Sequence, residues 1–390
     1  QKTAYEIPKR DWSSNVCSSD LHRRSNKILW EGRYVKYPFE NDLAALPPDY
    51  RDYCLNSFVE NPYEKYPADN MLAFFYKTFG EGITRCYLEP YNRKIWKFDP
   101  CYLDLQMVGR IPKPPAEDIV KSARGIATEG YLHQLNFWYP QVGGAESVIR
   151  GLFARTPNIT RVRSGTSVES VEVRGDGSFS VAYGGGSDSF PYVISSIPLP
   201  QLVRMIRPQP PIDVRAAAEA LLHNSIHITL VEASEDRLGD NFSITLPDEG
   251  VPFHRINKLN FLGSRYHNPG TTALMVETTF RRGMPLDLEA DAVSQLVVDH
   301  LVRQELVPRQ AVRFAHTMSF DYAYVIYDLH HRSNVDKVLA WLDSLGIQSI
   351  GRFGTFEYIN TDAAISRARD AAVAFIGKPI NFGVESGAAL

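Results

Sequence analysis

Glycine pairs, arginines and tyrosines are the residues of this chain whose types and spacing could serve chemistry. A Gly-x-Gly-x-x-Gly turn would let backbone approach a pyrophosphate at a helix N-terminus. The nearest run, Gly80-Glu81-Gly82, has Arg85 where the third glycine should stand and follows no strand, so it reads as a helix-boundary turn. The sequence has no Gly-x-Ser-x-Gly elbow, no Walker loop and no His-Glu-x-x-His pair. His330 and His331 are adjacent, and adjacent side chains point in different directions on a strand or a helix, so they read as solvated histidines rather than metal ligands. Cys17, Cys54, Cys86 and Cys101 are too few and too scattered for a disulfide framework or a Cys-x-x-Cys site, which fits a reducing, cytoplasmic setting.

The elements that must position such residues are those of a folded enzyme-sized chain. At 390 residues, 44% hydrophobic and 22% charged, the sequence predicts two or three domains with a sizeable core. A formal charge of -3 with no long Lys or Arg run argues against nucleic acid, while local arginines leave room for a small anionic ligand. No apolar stretch reaches the length of a membrane span.

Ile28–Trp30 and Arg33–Tyr37 around Glu31-Gly32 read as a hairpin, followed by a loop at Tyr37-Pro38-Phe39-Glu40-Asn41. Residues 48–124 read as several proline-punctuated helices. Gly143-Gly144 leads from a strand into a helix whose apolar stripe is Ala145, Val148, Ile149, Leu152 and Phe153. A three-stranded meander follows over Ser167–Ile194, then a short helix from Pro198 to Met205 and a strand-rich, antiparallel stretch from His227 to Phe280. Val335, Val338, Leu339 and Leu342 form a helical stripe stopped at Gly346, before a strand through Ile350. A last helix starts at Thr361 as its cap, buries Ile365, Ala368, Ala372 and Phe375, and ends at Gly377 and Pro379.

The first residues look foreign. Asp11–Leu21, DWSSNVCSSDL, resembles the translation of a common short-read sequencing adapter, from which only Asn15 departs. Residues 1–21 are therefore set aside as an artefact expected to be disordered, with genuine coding sequence beginning near His22 inside a longer gene.

Seven short blocks in order carry a resemblance: Tyr37-Pro38-Phe39-Glu40-Asn41, Phe79-Gly80-Glu81-Gly82-Ile83, Glu89-Pro90-Tyr91-Asn92-Arg93-Lys94-Ile95-Trp96, Arg110-Ile111-Pro112, Tyr139-Pro140-Gln141-Val142-Gly143-Gly144, Pro252-Phe253-His254-Arg255 and Gly351-Arg352-Phe353-Gly354. Across nearly all of residues 28–376 the chain resembles the eukaryotic-type UDP-galactopyranose mutases of the FAD-dependent amine-oxidase and protoporphyrinogen-oxidase superfamily. In that family the glycine fingerprint lies upstream of the hairpin, which agrees with truncation at the adapter-like segment.

The resemblance implies an α/β (α+β) fold: an incomplete Rossmann-like FAD-binding domain, a helical insertion and an antiparallel substrate sheet. Its implied segments are 22–47 (hairpin and substrate loop), 48–125 (helical insertion), 126–205 (FAD-domain segment with the meander), 206–330 (substrate sheet), 331–378 (C-terminal FAD-domain segment) and a tail over 379–390. It implies that Arg352, after Gly351, approaches FAD and that Asp362 opens a helix whose N-terminus faces the flavin, a place where free N–H groups suit an electron-rich ring. Gly143 and Gly144 would lie against the isoalloxazine, and Val168 would be on the strand that meets the adenine portion. For a nucleotide-sugar substrate, Tyr37 and Phe39 would flank the uracil with Asn92 nearby, Arg255 would bind the diphosphate, and Tyr324 and Tyr358 would donate hydroxyls to it. Each residue also has a plainer reading: Asp362 as a helix cap, the glycines as a turn, Arg255 as a surface charge and the tyrosines as core aromatics.

Two departures bear on substrate. Glu89 stands where the family has an arginine before Pro-Tyr-Asn, a charge reversal that Arg85 or Arg93 would have to offset. Glu40 replaces a glutamine near the base-binding loop, and Phe242 and Ile244 replace aromatics of the fungal enzymes. Two activities remain open: a mutase using reduced flavin as nucleophile, and an FAD-dependent oxidase of amines or porphyrinogens. Without the fingerprint the chain as written is expected to grip FAD poorly.

Overall fold

The structure, a computed structural model, describes residues 19–23, 25–128, 136–156 and 161–376. The chain divides into two compact units, one built on residues up to 160 together with 223–329, the other on 161–222 and the chain from 330 onward.

The larger unit is organised by a seven-stranded sheet in the order Val312–Val325, His223–Ala233, Thr272–Phe280, Arg255–Lys258, Ser243–Thr245, Asn26–Trp30, Arg33–Lys36. Every neighbouring pair is antiparallel except Ser243–Thr245 beside Asn26–Trp30. The expected hairpin closes the sheet edge, with Glu31 at φ 47 and Gly32 at φ 75, the two left-handed residues that a tight hairpin turn requires. The Thr272–Phe280 strand is buried along almost its whole length. Its Leu274 and Val276 pack with Ile256, Phe253 and Leu246 against Val293, Val297 and Leu301 of the helix Ala290–Arg303, one face at four-residue spacing. Each such side chain contributes roughly 1.5–3 kcal/mol when fully buried.

The helical insertion forms as the sequence predicts, with helices Pro48–Val59, Met71–Ile83, Glu89–Trp96 and Ala116–Ala123. Gly80 is non-helical and breaks the span Met71–Ile83 into two helical pieces, so Gly80-Glu81-Gly82 is the helix-boundary turn expected, a kink between them. Gly80 has φ 72, and a Cβ there would lie 2.1 Å from the Ser57 carbonyl oxygen; one on Gly82 would lie 2.6 Å from Cys54 Cα. These glycines let two helix backbones touch.

Ser19–Arg23 pairs antiparallel with Asn136–Pro140, and Gln141 Nε2 donates to Asp20 Oδ1 at 2.8 Å. Residues 19–21, expected to be disordered, are thus strand. Main-chain pairing uses groups that every residue carries, so an extended run can dock whatever its side chains. Residues 1–18, Gly377 and Pro379 lie outside the described residues.

The smaller unit contains a four-stranded sheet in the order Gly186–Phe190, Phe179–Tyr183, Val168–Val173, Ile206–Arg207, whose first three strands are the expected meander. The helix His331–Ser344 ends before Gly346 (φ 78) and leads into Ile347–Ser349, which runs parallel to Val193–Ser195. His331 is not solvated as expected: it is 1% exposed, with Nε2 2.8 Å from the Phe356 carbonyl oxygen, whereas His330 is exposed.

Two helices form where periodicity predicts them but do not bury the predicted stripes. In the larger unit's Glu146–Phe153, Ile149 is 44% and Phe153 52% exposed. In the smaller unit's Thr361–Ile376 no residue is buried; Ala368 is exposed, and Phe375, also exposed, meets the Tyr192 ring edge-on at 4.9 Å. Period fixes which side of a helix is apolar, but burial needs an element against that side, and the described residues cover these two only in part, leaving Val148, Ile365 and Ala372 half-buried. That last helix begins at Thr361, with the Ala364 amide donating to the Asn360 carbonyl at 3.0 Å, so the cap position falls one residue earlier than expected.

Candidate functional site

In the larger unit the site is built around a cross-strand ion pair. Arg255 and Glu277 stand opposite each other in the antiparallel register, and the guanidinium grips the carboxylate with both arms, Nε to Oε1 at 2.9 Å and Nη2 to Oε2 at 2.5 Å. Asn257 Nδ2 donates to Oε1 at 2.9 Å. Burial alone would raise the Glu277 carboxyl, but Arg255, and after it His254, hold it well below the usual carboxylate range. The same carboxylate outweighs desolvation at Arg255 and raises that guanidinium further. Arg255 is 36% exposed on its side chain, and its Nη1 edge makes no hydrogen bond to a described residue. Glu277 therefore aims the arginine and leaves Nη1 without a hydrogen bond among the described residues.

His254 lies fully buried with Nε2 3.6 Å from Glu277 Oε2 and no hydrogen-bond partner at either ring nitrogen. Burial pushes its pKa down to about 4, so it is neutral and adds no charge.

Aromatic rings wall this cluster. Tyr324, 9% exposed, sets its hydroxyl 3.4 Å from Arg255 Nη2 and 3.5 Å from Glu277 Oε2, and its ring meets Trp96 edge-on at 5.7 Å. Trp96 is oriented by Asn92, whose Oδ1 accepts from the indole nitrogen at 2.9 Å while Nδ2 donates to the Leu88 carbonyl at 2.7 Å. Asn92 is 3% exposed, so the structure places it behind the wall. Phe39, 0% exposed, stacks on Tyr87 at 4.9 Å, and Tyr87 stacks on Tyr91 at 5.3 Å. Tyr91 is close enough to Arg255 to act on its charge. Beside Phe39, Glu40 is 1% exposed with neither carboxylate oxygen partnered; burial raises its pKa to about 7. Tyr37 is half-buried at the start of this loop, its amide bonded to the Asn26 carbonyl.

Glu89 is neutralised locally. Its Oε1 accepts from Arg93 Nη2 at 2.8 Å, while Arg93 Nη1 holds Asp99 at 2.8 Å. Of the two arginines that could offset Glu89, Arg93 does so; Arg85 pairs with Glu81 at 3.0 Å instead.

Gly143 (φ 81) and Gly144 (φ 60) both need the left-handed conformation. The Tyr266 hydroxyl accepts from the Gly144 amide at 3.2 Å and donates to the Pro140 carbonyl, so the turn is braced from within its own unit.

In the smaller unit, Gly351 (φ 80) opens the short helix Gly351–Gly354 after the parallel strand pair. Arg352 lies over the Tyr358 ring, 4.4 Å from its centroid, and donates Nη1 to the Ile359 carbonyl at 3.1 Å. Tyr358 is thus the platform for Arg352, and both precede Asp362 in the first turn of the last helix. Val168 begins the first meander strand, with a bulge between it and Ser170.

Sequence reasoning missed Glu277. The available hint was a lone carboxylate in the β-forming run Thr272–Phe280, which on burial must find a partner.

No family model matches the chain. Among solved structures it is similar to a reduced UDP-galactopyranose mutase, at 22% identity over 93% of this chain and 79% of that one, with a TM-score of 0.85. A putative protoporphyrinogen oxidase from Exiguobacterium sp. aligns at 14% identity over 91% and 80%, with a TM-score of 0.68. Cyclohexylamine oxidase from Brevibacterium oxydans aligns at 12% over 93% and 83%, with a TM-score of 0.56. No helix among the described residues is long and apolar enough to cross a membrane. The mixed α/β fold of this chain is that of the mutase and the two oxidases.

Proposed function

We propose that the chain belongs to a flavin-dependent enzyme of the mutase and amine-oxidase type, and that its reaction is that of a nucleotide-sugar mutase resembling UDP-galactopyranose mutase. The observation that carries this reading is Arg255, fixed by Glu277 with one guanidinium arm left over and framed by Tyr324, Trp96 and Tyr91. A fixed guanidinium edge beside a phenol hydroxyl suits two phosphate oxygens.

The residues fit the ring end of FAD. Gly351, Arg352 and the first turn of the Thr361–Ile376 helix follow the end of a parallel strand, the place where open α/β sheets take their ligands. The described residues supply no glycine-rich turn for the pyrophosphate. The chemistry a reduced flavin supplies is a nucleophilic nitrogen for the anomeric carbon. Arg255 binds the diphosphate and stabilises its charge as it leaves, Tyr324 donates its hydroxyl to the same group, and neutral His254 neither takes nor gives a proton near pH 7. Phe39, Tyr87 and Tyr91 exclude water from the base end.

The test is flavin content of the purified chain, then conversion of UDP-galactofuranose after dithionite reduction, with Arg255→Ala as control. Flavin binding without conversion, together with oxygen uptake on amines or porphyrinogens, would support the second reading, an oxidase. What favours that reading is Glu89: tied to Arg93, whose other arm holds Asp99, it brings no positive charge to a diphosphate.

A further inference from the structure

The smaller unit contains a cavity of about 190 Å³ that none of the preceding chemistry uses. It lies between the helix Leu199–Met205 and the helix Ile212–Glu219, and its wall carries three arginines, Arg204, Arg207 and Arg215, against one carboxylate, Glu219. Three positive charges less one negative leave two.

The arginines are not spent on one another's neighbours. Arg204 is exposed and makes no ion pair among the described residues. Arg207 uses Nη1 on the Arg204 and Ile206 carbonyls, which holds its head at the rim. Arg215 is half-buried, and its Nε is shut off from solvent without an acceptor. Glu219 sits one helical turn beyond Arg215, the spacing at which ion pairs form, yet the two do not pair. A buried N–H without an acceptor is a net cost to the fold, which a bound acceptor would recover. Of the remaining lining, Pro200, Val203, Pro210 and Ala218 offer no acceptor side chain, and Gln209 brings a neutral amide that can either accept or donate.

Size selects the ligand. At about 190 Å³ the space is below the range of about 300–1,000 Å³ typical of drug-sized ligands. A nucleotide sugar is too large. Three lining guanidiniums match the charge and acceptor count of a tetrahedral dianion better than those of a carboxylate, which carries one charge and two oxygens.

We propose that this arginine-lined cavity is a binding site for a phosphate group, either free phosphate or the head of a small phosphomonoester. It is separate from the nucleotide-sugar reading and stands if that reading fails.

Calorimetric titration of the full chain with inorganic phosphate and with glycerol 3-phosphate, at constant ionic strength set by chloride, tests it. Saturable binding at one site is expected, weakened about tenfold or more by either Arg204→Gln or Arg215→Gln, as loss of a charge-assisted hydrogen bond implies. Arg174→Gln, which removes an exposed arginine bonded to Ser189, leaves it unchanged. Tighter binding of the ester identifies the phosphomonoester as the ligand, and tighter binding of phosphate the free ion. Heats no larger than those of chloride, or an affinity in the Arg204→Gln chain equal to that of the original chain, overturn the proposal. Since Arg204 is exposed and unpaired, its variant keeps the fold and the comparison remains valid if Arg215→Gln misfolds.

Discussion

Glu277 faces Arg255 across two antiparallel strands and binds it through two oxygens, so the orientation of the guanidinium is set by strand register rather than by its own rotamer. Truncating the carboxylate should therefore do more than remove a charge. Glu277→Gln is expected to cost about 2 kcal/mol in urea unfolding, less than the 3–5 kcal/mol of a wholly buried pair because the guanidinium is partly solvated. Since the Glu277 pKa is depressed, its stabilisation is present above the unfolded carboxylate pKa and is lost as pH falls toward the folded value. The variant should lose that acid-side dependence. Equal acid unfolding of the two chains would contradict the assignment.

Glu40 titrates in the opposite sense. Its folded pKa of about 7 exceeds the ordinary glutamate value of 4.5, so the relative stability it confers is complete below pH 4.5 and disappears as pH rises through 7. Glu40→Gln should abolish that dependence and stabilise the chain near pH 8 by up to about 3 kcal/mol. Thermal melts from pH 5 to about 8 decide it; parallel curves for the two chains would show that the carboxyl is solvated.

Tyr324→Phe keeps the ring against Trp96 and removes the hydroxyl next to Arg255. Stability should change by no more than about 1 kcal/mol, while kcat/KM for a diphosphate substrate should fall about tenfold. An unchanged kcat/KM would return Tyr324 to the status of a core aromatic.

Gly80→Ala combines a left-handed backbone with a clash at 2.1 Å against main chain. The expected loss is about 3 kcal/mol or more. A chain that melts within a degree of the original would mean that the kink relaxes freely.

What could be read from the sequence followed local physics. The Glu31-Gly32 hairpin, the meander, the proline-punctuated helices and the helix stopped at Gly346 each carry their cause within a few residues. So does the Glu89–Arg93 pair at helical spacing. Glu277 did not, because its partner is 22 residues away and only the register brings them together. The stripes on Glu146–Phe153 and Thr361–Ile376 were legible as patterns, but whether a pattern becomes a core depends on what another element brings to it. Asn92 sits in a legible sequence block, but its side chain, held between the Trp96 indole and the Leu88 carbonyl, serves the wall rather than its surface.

The contact at Gly80 and Gly82 reaches beyond the two helices it joins. The chain continues from Gly82 through the wide turn Thr84–Leu88 into Glu89–Trp96. The ring that supports Tyr324 is thus carried at the far end of a lever whose fulcrum is a pair of missing side chains. A methyl group inserted there would act as a wedge, and its effect would be felt as a misplaced indole at a position the new atoms never touch.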